Sequence, residues 1–175
     1  DAYSDFKVTH ETGVVFDCAS ESNLGSGYYG CDMNTTDMPA RWYHTNVTVW
    51  RDYYNNATAS YVNSFFLETP PALYGENVSS EQGGDLGGWG EVWTFRVNVT
   101  DEDQESNVTV TLWIRSYGAT SWNYANSTVV EKPYEDEVIL TYSGFDCSNI
   151  GTWEYYFTAV DNDVGGNHSN ETVPH

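Results

Sequence analysis

Asn-x-Ser/Thr sequons are the residues of this chain whose type and spacing best fit a defined chemistry. They place a hydroxyl two residues after an asparagine amide, which is the acceptor pattern for N-linked glycans. Nine of the fifteen asparagines have this spacing, whereas chance gives roughly three at this content of Ser and Thr. The nine are Asn34, Asn46, Asn56, Asn77, Asn98, Asn107, Asn126, Asn167 and Asn170. The excess predicts N-linked glycans on a secreted, extracellular or cell-surface protein, although Asn and Thr are also frequent in turns and strands.

Two acidic clusters follow predicted strands, at residues 101–103 and 161–163. Clustered carboxylate oxygens in loops suit calcium, so calcium is a candidate ligand at Asp161 and Asp163. Ordinary turn chemistry explains both clusters equally well. The four histidines lack zinc spacing, and nothing singles out two carboxylates held across a cleft, as a glycosidase requires. We therefore expect no enzymatic activity and, beyond N-linked glycans, no cofactor except the candidate calcium.

The chain has three cysteines, which in an oxidising compartment favour a disulfide. Cys18 and Cys31 flank a polar, Gly-rich segment and would close it as a small ring, leaving Cys147 free or bonded to another subunit. A Cys18–Cys147 bridge with Cys31 free is the alternative, and spacing alone does not decide between them.

The charge of the chain limits its partners. Six Lys and Arg stand against 26 Asp and Glu, giving a formal net charge of −20. A nucleic-acid partner needs a basic face, so we expect none. Because no apolar run is as long as a membrane span, we also expect no such span in this chain.

Alternation of apolar and polar residues predicts the strands that position these groups. Apolar residues occupy every second position from Trp93 to Val99 and from Val108 to Ile114, which is typical of half-buried strands. The polar turn between them predicts an antiparallel hairpin. Further runs at 122–130, 137–142 and 152–160 have the spacing of a β-sandwich. Abundant aromatic and β-branched residues agree with an all-β fold.

The remaining segments predict three regions. Residues 1–17 form an N-terminal strand segment with two apolar patches, residues 18–82 a smaller β domain with the disulfide loop, and residues 83–175 the main sandwich, beginning at a Gly-rich linker. A weak repeat relates Phe16-Asp17-Cys18 to Phe145-Asp146-Cys147. It implies two tandem sandwiches if it is real, but biased composition also produces such repeats.

The run from Asn149 to Asp161 carries a family resemblance. It contains Gly-Thr-Trp-Glu-Tyr leading into a strand that ends in Ala-Val-Asp, and a Val-Asn-Val-Thr-Asp segment lies upstream. Residues of about 85–165 thereby resemble the immunoglobulin-like and PKD-type β-sandwich modules of secreted microbial, archaeal-type surface glycoproteins. The resemblance implies that Trp153 replaces the corner tyrosine and Tyr155 the second core cysteine. Because the paired core cysteines are missing, the disulfide of immunoglobulin domains does not carry over.

Such modules adhere, space and assemble, so we expect a structural subunit of an extracellular filament or surface layer, a homopolymer built from copies of this chain. After Val160 only the polar tail of residues 165–175 remains, and the sandwich would then lack a last strand and accept one from a neighbouring copy. The predicted donor residues are Phe6, Val8, Val14, Val15 and Phe16. The alternative is a secreted carbohydrate-binding or adhesion module, in which Trp113, Tyr117 or Trp122 would stack on sugar rings.

Overall fold

The computed structural model describes residues 2–163 and 166–175, and the predicted all-β fold is confirmed. Within this part of the chain there are thirteen strands: β1 (Ala2–His10), β2 (Val15–Asp17), β3 (Ser20–Gly25), β4 (Tyr28–Asp32), β5 (Arg41–Arg51), β6 (Ala57–Leu67), β7 (Ala72–Ser79), β8 (Trp93–Thr100), β9 (Val108–Ser116), β10 (Asn123–Val130), β11 (Asp136–Tyr142), β12 (Trp153–Asp161) and β13 (Ser169–Glu171). The chain divides into two compact units, unit 1 (Asp1–Glu68) and unit 2 (Thr69–His175).

Unit 1 has a four-stranded antiparallel sheet in the order β2-β1-β5-β6. β1 pairs with β5 from Ala2 opposite Arg51 to His10 opposite Tyr43. A separate hairpin, β3–β4, carries the disulfide between Cys18 and Cys31. Its turn has a positive φ at Gly25, Ser26 and Gly27, which explains why two of these three residues are glycine.

Unit 2 is a β-sandwich of two antiparallel sheets, ordered β10-β9-β12-β13 and β11-β8-β7. Inward side chains of both sheets form one hydrophobic core. Its buried members are Phe95, Val97, Val99, Val108, Val110, Leu112, Ile114, Val138, Leu140, Phe157 and Ala159. The predicted alternation in β8 and β9 is therefore confirmed, since every second side chain of these strands is buried.

The predicted β8–β9 hairpin is wrong. β8 pairs with β7 and β11, whereas β9 pairs with β10 and β12, so the chain crosses from one sheet to the other between residues 100 and 108. Both strands are central and apolar on one face. They consequently face each other across the core instead of lying side by side.

The division of the chain differs from the predicted one. The boundary falls after Glu68, whereas the sequence placed it between residues 82 and 83. β7 pairs with β8 and so belongs to the sandwich. The Gly-rich run at 83–90, interpreted as a linker between domains, therefore lies between two paired strands of one sheet, β7 and β8. Residues 1–17, predicted as a separate segment, lie within unit 1.

The C-terminal tail occupies the edge of β12 that was expected to lack a strand. β13 pairs with residues 158–160. The Thr172 amide then donates to the Phe157 carbonyl at 2.9 Å, and Tyr155 and His175 exchange two backbone hydrogen bonds of 3.0 and 3.1 Å. Main-chain groups make this pairing, so a polar sequence suffices. Residue 165 of the predicted tail lies outside the described residues.

Candidate functional site

Four aspartates meet at one end of the unit 2 sandwich. Asp101 directly follows β8, and Asp103 lies two residues further along. Asp161 is the last residue of β12, and Asp163 follows it. Asp161 lies opposite Val108, the first residue of β9, so the β8–β9 connection and the end of β12 are at the same end of the sandwich. We call these four side chains the aspartate cluster.

The strand alternation buries the aspartate cluster. Asp101 continues the inward series of Val97 and Val99, and Asp161 continues that of Phe157 and Ala159. The exposed fraction is 1% for Asp101, 0% for Asp103 and Asp161, and 8% for Asp163. Carboxylates are rarely buried to this extent unless they are paired or bind a metal.

Backbone amides satisfy part of the aspartate cluster. Asp103 accepts hydrogen bonds from the Thr69 amide at 2.9 Å and from the Glu105 amide at 3.1 Å. Asp161 Oδ1 accepts one from the His168 amide at 2.6 Å. These bonds fix the conformations of the two loops, because each one ties a buried carboxylate to the main chain.

Five other carboxylate oxygens of the cluster have no hydrogen-bond donor among the described residues. They are both oxygens of Asp101, both oxygens of Asp163, and Asp161 Oδ2. His168 Nδ1 lies 3.3 Å from Asp161 Oδ2 and 3.6 Å from Asp163 Oδ2, so a protonated imidazole would offset part of the negative charge. Buried oxygens without donors are unusual in folded proteins and call for an explanation.

Burial and like charge act together on Asp101. Burial raises the pKa of this carboxyl to about 7, and the neighbouring charges of Asp103, Asp163 and Asp161 add to the rise. The ionised cluster is therefore electrostatically unfavourable by itself, since each carboxylate opposes the charge of the next.

This burial disfavours hydrolytic chemistry at the aspartate cluster. A glycosidase needs two carboxyl groups flanking a substrate in an accessible cleft, whereas these side chains are at most 8% exposed. Buried carboxylate oxygens are suitable ligands for a hard cation. The sequence identified residues 101–103 and 161–163 as two separate clusters. It did not predict that they lie at the same end of the sandwich. It gave no role to His168, whose position follows only from the pairing of β12 with the C-terminal tail.

The nine sequon asparagines are distributed over both units, and the structure leaves all of them at least partly accessible. Seven are exposed, and Asn98 and Asn126 are half-buried. Asn98 lies on the outward face of β8, between the buried Val97 and Val99. The Asn126 side-chain amide donates to the Thr141 carbonyl at 2.9 Å, so one of its hydrogens is already used in a hydrogen bond within the protein.

The cysteine pairing follows the first of the two predictions. Cys18 is bonded to Cys31, with the Cα atoms 5.6 Å apart, and the alternative bridge from Cys18 to Cys147 is excluded. In the part of the chain that the structure describes, Cys147 is the free cysteine, and it is exposed. It is therefore accessible to another chain.

Four of the five predicted donor residues lie in strands of the unit 1 sheet, and Val14 directly precedes β2. Phe6 and Val8 line a cavity of about 290 Å³ together with Cys31, Met33, Thr45, Val47, Tyr61 and Phe65. Phe16 packs on Tyr43 with ring centroids 5.9 Å apart. Val14 and Val15 are exposed. Within one chain, β1 and β2 thus pair with the sheet of their own unit.

An aromatic cluster covers part of the outer face of the β9–β12 sheet. Trp113 stacks on Tyr156 with centroids 6.4 Å apart, and Trp122 contacts the same tyrosine at 4.5 Å. Tyr124 meets Trp113 edge to face, and Arg115 lies 4.1 Å above the Trp122 ring. Of the residues predicted for sugar stacking, Trp113 and Trp122 belong to this cluster and Tyr117 is 73% exposed.

Comparisons with known proteins add little. No family model and no curated protein matches the sequence. Among solved structures, the chain is similar to the dimeric latent PorU of Porphyromonas gingivalis at 15% identity, with a TM-score of 0.33 over 98% of this chain and 16% of PorU. The chain thus spans about a sixth of that protein, and likeness at this level carries no argument about function. Residues 2–163 and 166–175 form no helix long and apolar enough to cross a bilayer.

Proposed function

We propose that the chain is a structural subunit of an extracellular glycoprotein filament or surface layer, built from copies of itself. The observation that carries this proposal is the accessibility of all nine sequon asparagines on both units. Glycans at these positions would cover much of the surface without disturbing the core. A dense glycan coat suits a protein that presents its outer surface to the environment, rather than one that works through an open cleft.

Exchange of the N-terminal strand would join the copies. The β1–β5 ladder extends over nine residue pairs, and β1 of a neighbouring copy can make the same bonds. Cys18 anchors the chain to Cys31 directly after β2, so residues 1–17 would be the part that crosses. Because donor strand and acceptor groove differ, the contact is head-to-tail and propagates into a filament. This exchange replaces the expected missing strand of the sandwich as the physical basis for assembly.

Electron microscopy of the native, unreduced protein tests the proposal. We expect filaments or sheets with a repeat of a few nanometres, which is about the size of one subunit built from strands of ordinary length. A Cys147→Ser variant is the matched control: if the exposed thiol only adds a covalent link between subunits, the assemblies keep their repeat and lose heat-stable dimers in unreduced detergent gels. Dispersed single particles under all conditions would refute the structural role.

A carbohydrate-binding or adhesion module is the second candidate, and the aromatic cluster of unit 2 favours it. Rings on an outer sheet face stack on sugars, and Tyr117 and Tyr124 are 73% and 60% exposed. This function predicts retention on immobilised glycans that a Trp122→Ala variant loses, whereas Tyr53→Ala, which removes a fully exposed ring from unit 1, leaves it unchanged.

A further inference from the structure

We propose that Asp101, Asp103, Asp161 and Asp163 form a calcium-binding site at the end of the unit 2 sandwich. This inference is independent of the proposed structural role, because it depends on the aspartate cluster alone. It is supported by three features: the burial of the carboxylates, the oxygens that no donor reaches, and the position of the cluster between the two sheets.

Burial makes a counter-charge necessary. The five oxygens without a donor among the described residues belong to side chains that are at most 8% exposed. Removing a charged group from water is strongly unfavourable unless an opposite charge compensates it. The imidazole of His168, 3.3 and 3.6 Å from two of the oxygens, supplies at most one positive charge against four carboxylates. A divalent cation would offset the remaining charge.

The donor set selects calcium over other metals. Calcium takes six to eight oxygen ligands in flexible geometry, whereas magnesium demands a near-ideal octahedron and zinc prefers nitrogen and sulfur. The four carboxylates together offer up to eight oxygens to such an ion. Each loop presents its aspartates two residues apart, at 101 and 103 and at 161 and 163, a spacing that calcium loops also use.

The position of the cluster implies what the ion does. Asp101 follows β8 in one sheet, and Asp161 ends β12 in the other. A cation held by both connects the ends of the two sheets across the core. Calcium binding should therefore stabilise unit 2 against unfolding, since the unfolded chain does not hold these loops together.

Calcium titration of the full chain by calorimetry, after treatment with a chelator, is the first test. We expect one site with a dissociation constant below about 1 mM, the weak limit for extracellular calcium modules. Thermal unfolding in 5 mM calcium should occur roughly 5 °C or more above that in EGTA. Magnesium at the same concentration should give a smaller shift. A wild-type protein with no calcium-dependent heat and no shift overturns the proposal.

Variants locate the site. Asp163→Asn keeps the shape of the side chain and removes one charge, and we expect at least a tenfold loss of calcium affinity. Asp85→Asn is the matched control, because Asp85 is an exposed aspartate outside the cluster, and it should bind like the wild type. Equal affinity in Asp163→Asn and the wild type, or an equal loss in both variants, would mean that calcium binds elsewhere on the acidic surface. If Asp163→Asn does not fold, the wild-type protein is loaded with terbium, and Trp-sensitised luminescence reports the bound ion. We expect calcium to displace one equivalent of terbium. If calcium displaces none, the proposal is wrong.

Discussion

At the scale of single residues, the positions of Asp101 and Asp161 are the least expected feature of the molecule. Each occupies an inward position that continues a row of Val, Phe or Ala in its strand. An apolar residue there would extend the core at no electrostatic cost, whereas a carboxylate must be compensated. Asp103 is compensated by two backbone amides, but Asp101 has no hydrogen-bond donor among the described residues. A bound cation would compensate the unfavourable free energy of burying the Asp101 carboxylate.

Glycan occupancy is the first prediction at this scale. Asn126 donates its amide to the Thr141 carbonyl, and Asn98 is half-buried beside Gly75. A glycan on either amide competes with these contacts, so we expect lower occupancy at Asn98 and Asn126 than at the seven exposed sequons. Peptide mapping by mass spectrometry of the protein from its native source, before and after glycosidase treatment, measures this. Full occupancy at Asn126 together with empty exposed sequons would contradict the expectation.

The residues of the aspartate cluster show how far sequence alone leads. The spacing of Asp101 with Asp103 and of Asp161 with Asp163 was enough to nominate oxygen ligands. That the two pairs meet depends on the β9–β12 register, which places Asp161 opposite Val108. No local pattern encodes that long-range pairing, so the sequence located each half of the site without joining them.

At the scale of elements, β9 organises unit 2. It is a central strand between β10 and β12, and its inward residues Val108, Val110, Leu112 and Ile114 are all buried. Alternation predicted β8 and β9 as strands, and also which of their faces is apolar. It did not predict that they belong to different sheets, because a period of two specifies a buried face but not a neighbour.

The second prediction tests this core. Leu112 is completely buried, so Leu112→Ala should lower the free energy of unfolding by about 2–5 kcal/mol through lost burial and a residual cavity. Thr111 precedes it on the opposite, half-exposed face of β9, and Thr111→Ala should change the stability by less than about 1 kcal/mol. Urea unfolding followed by Trp fluorescence measures both. Similar losses for the two variants would mean that β9 is not the centre of the core.

At the scale of the whole molecule, charge opposes the proposed assembly. The formal net charge is −20, and like-charged copies repel over roughly 10 Å at 0.1 M salt. Contacts between copies must therefore come from a strong, directional interaction or from cations that reduce the charge. A nine-residue ladder of main-chain bonds is such an interaction, since its backbone hydrogen bonds do not depend on the sign of the surface charge.

The third prediction separates strand exchange from self-pairing. Tyr3 of β1 lies opposite Trp50 of β5, with ring centroids 5.9 Å apart, and directly opposed residues of antiparallel strands are close enough for a disulfide. We expect a Tyr3→Cys/Trp50→Cys variant in a Cys147→Ser background, oxidised after assembly, to give a ladder of covalent multimers on unreduced gels. The control is Trp42→Cys/Phe66→Cys, which joins β5 to β6 inside the acceptor sheet and yields a monomer band in either case. A monomer band from both variants in material that forms filaments would show that β1 stays in its own chain and that another surface joins the copies.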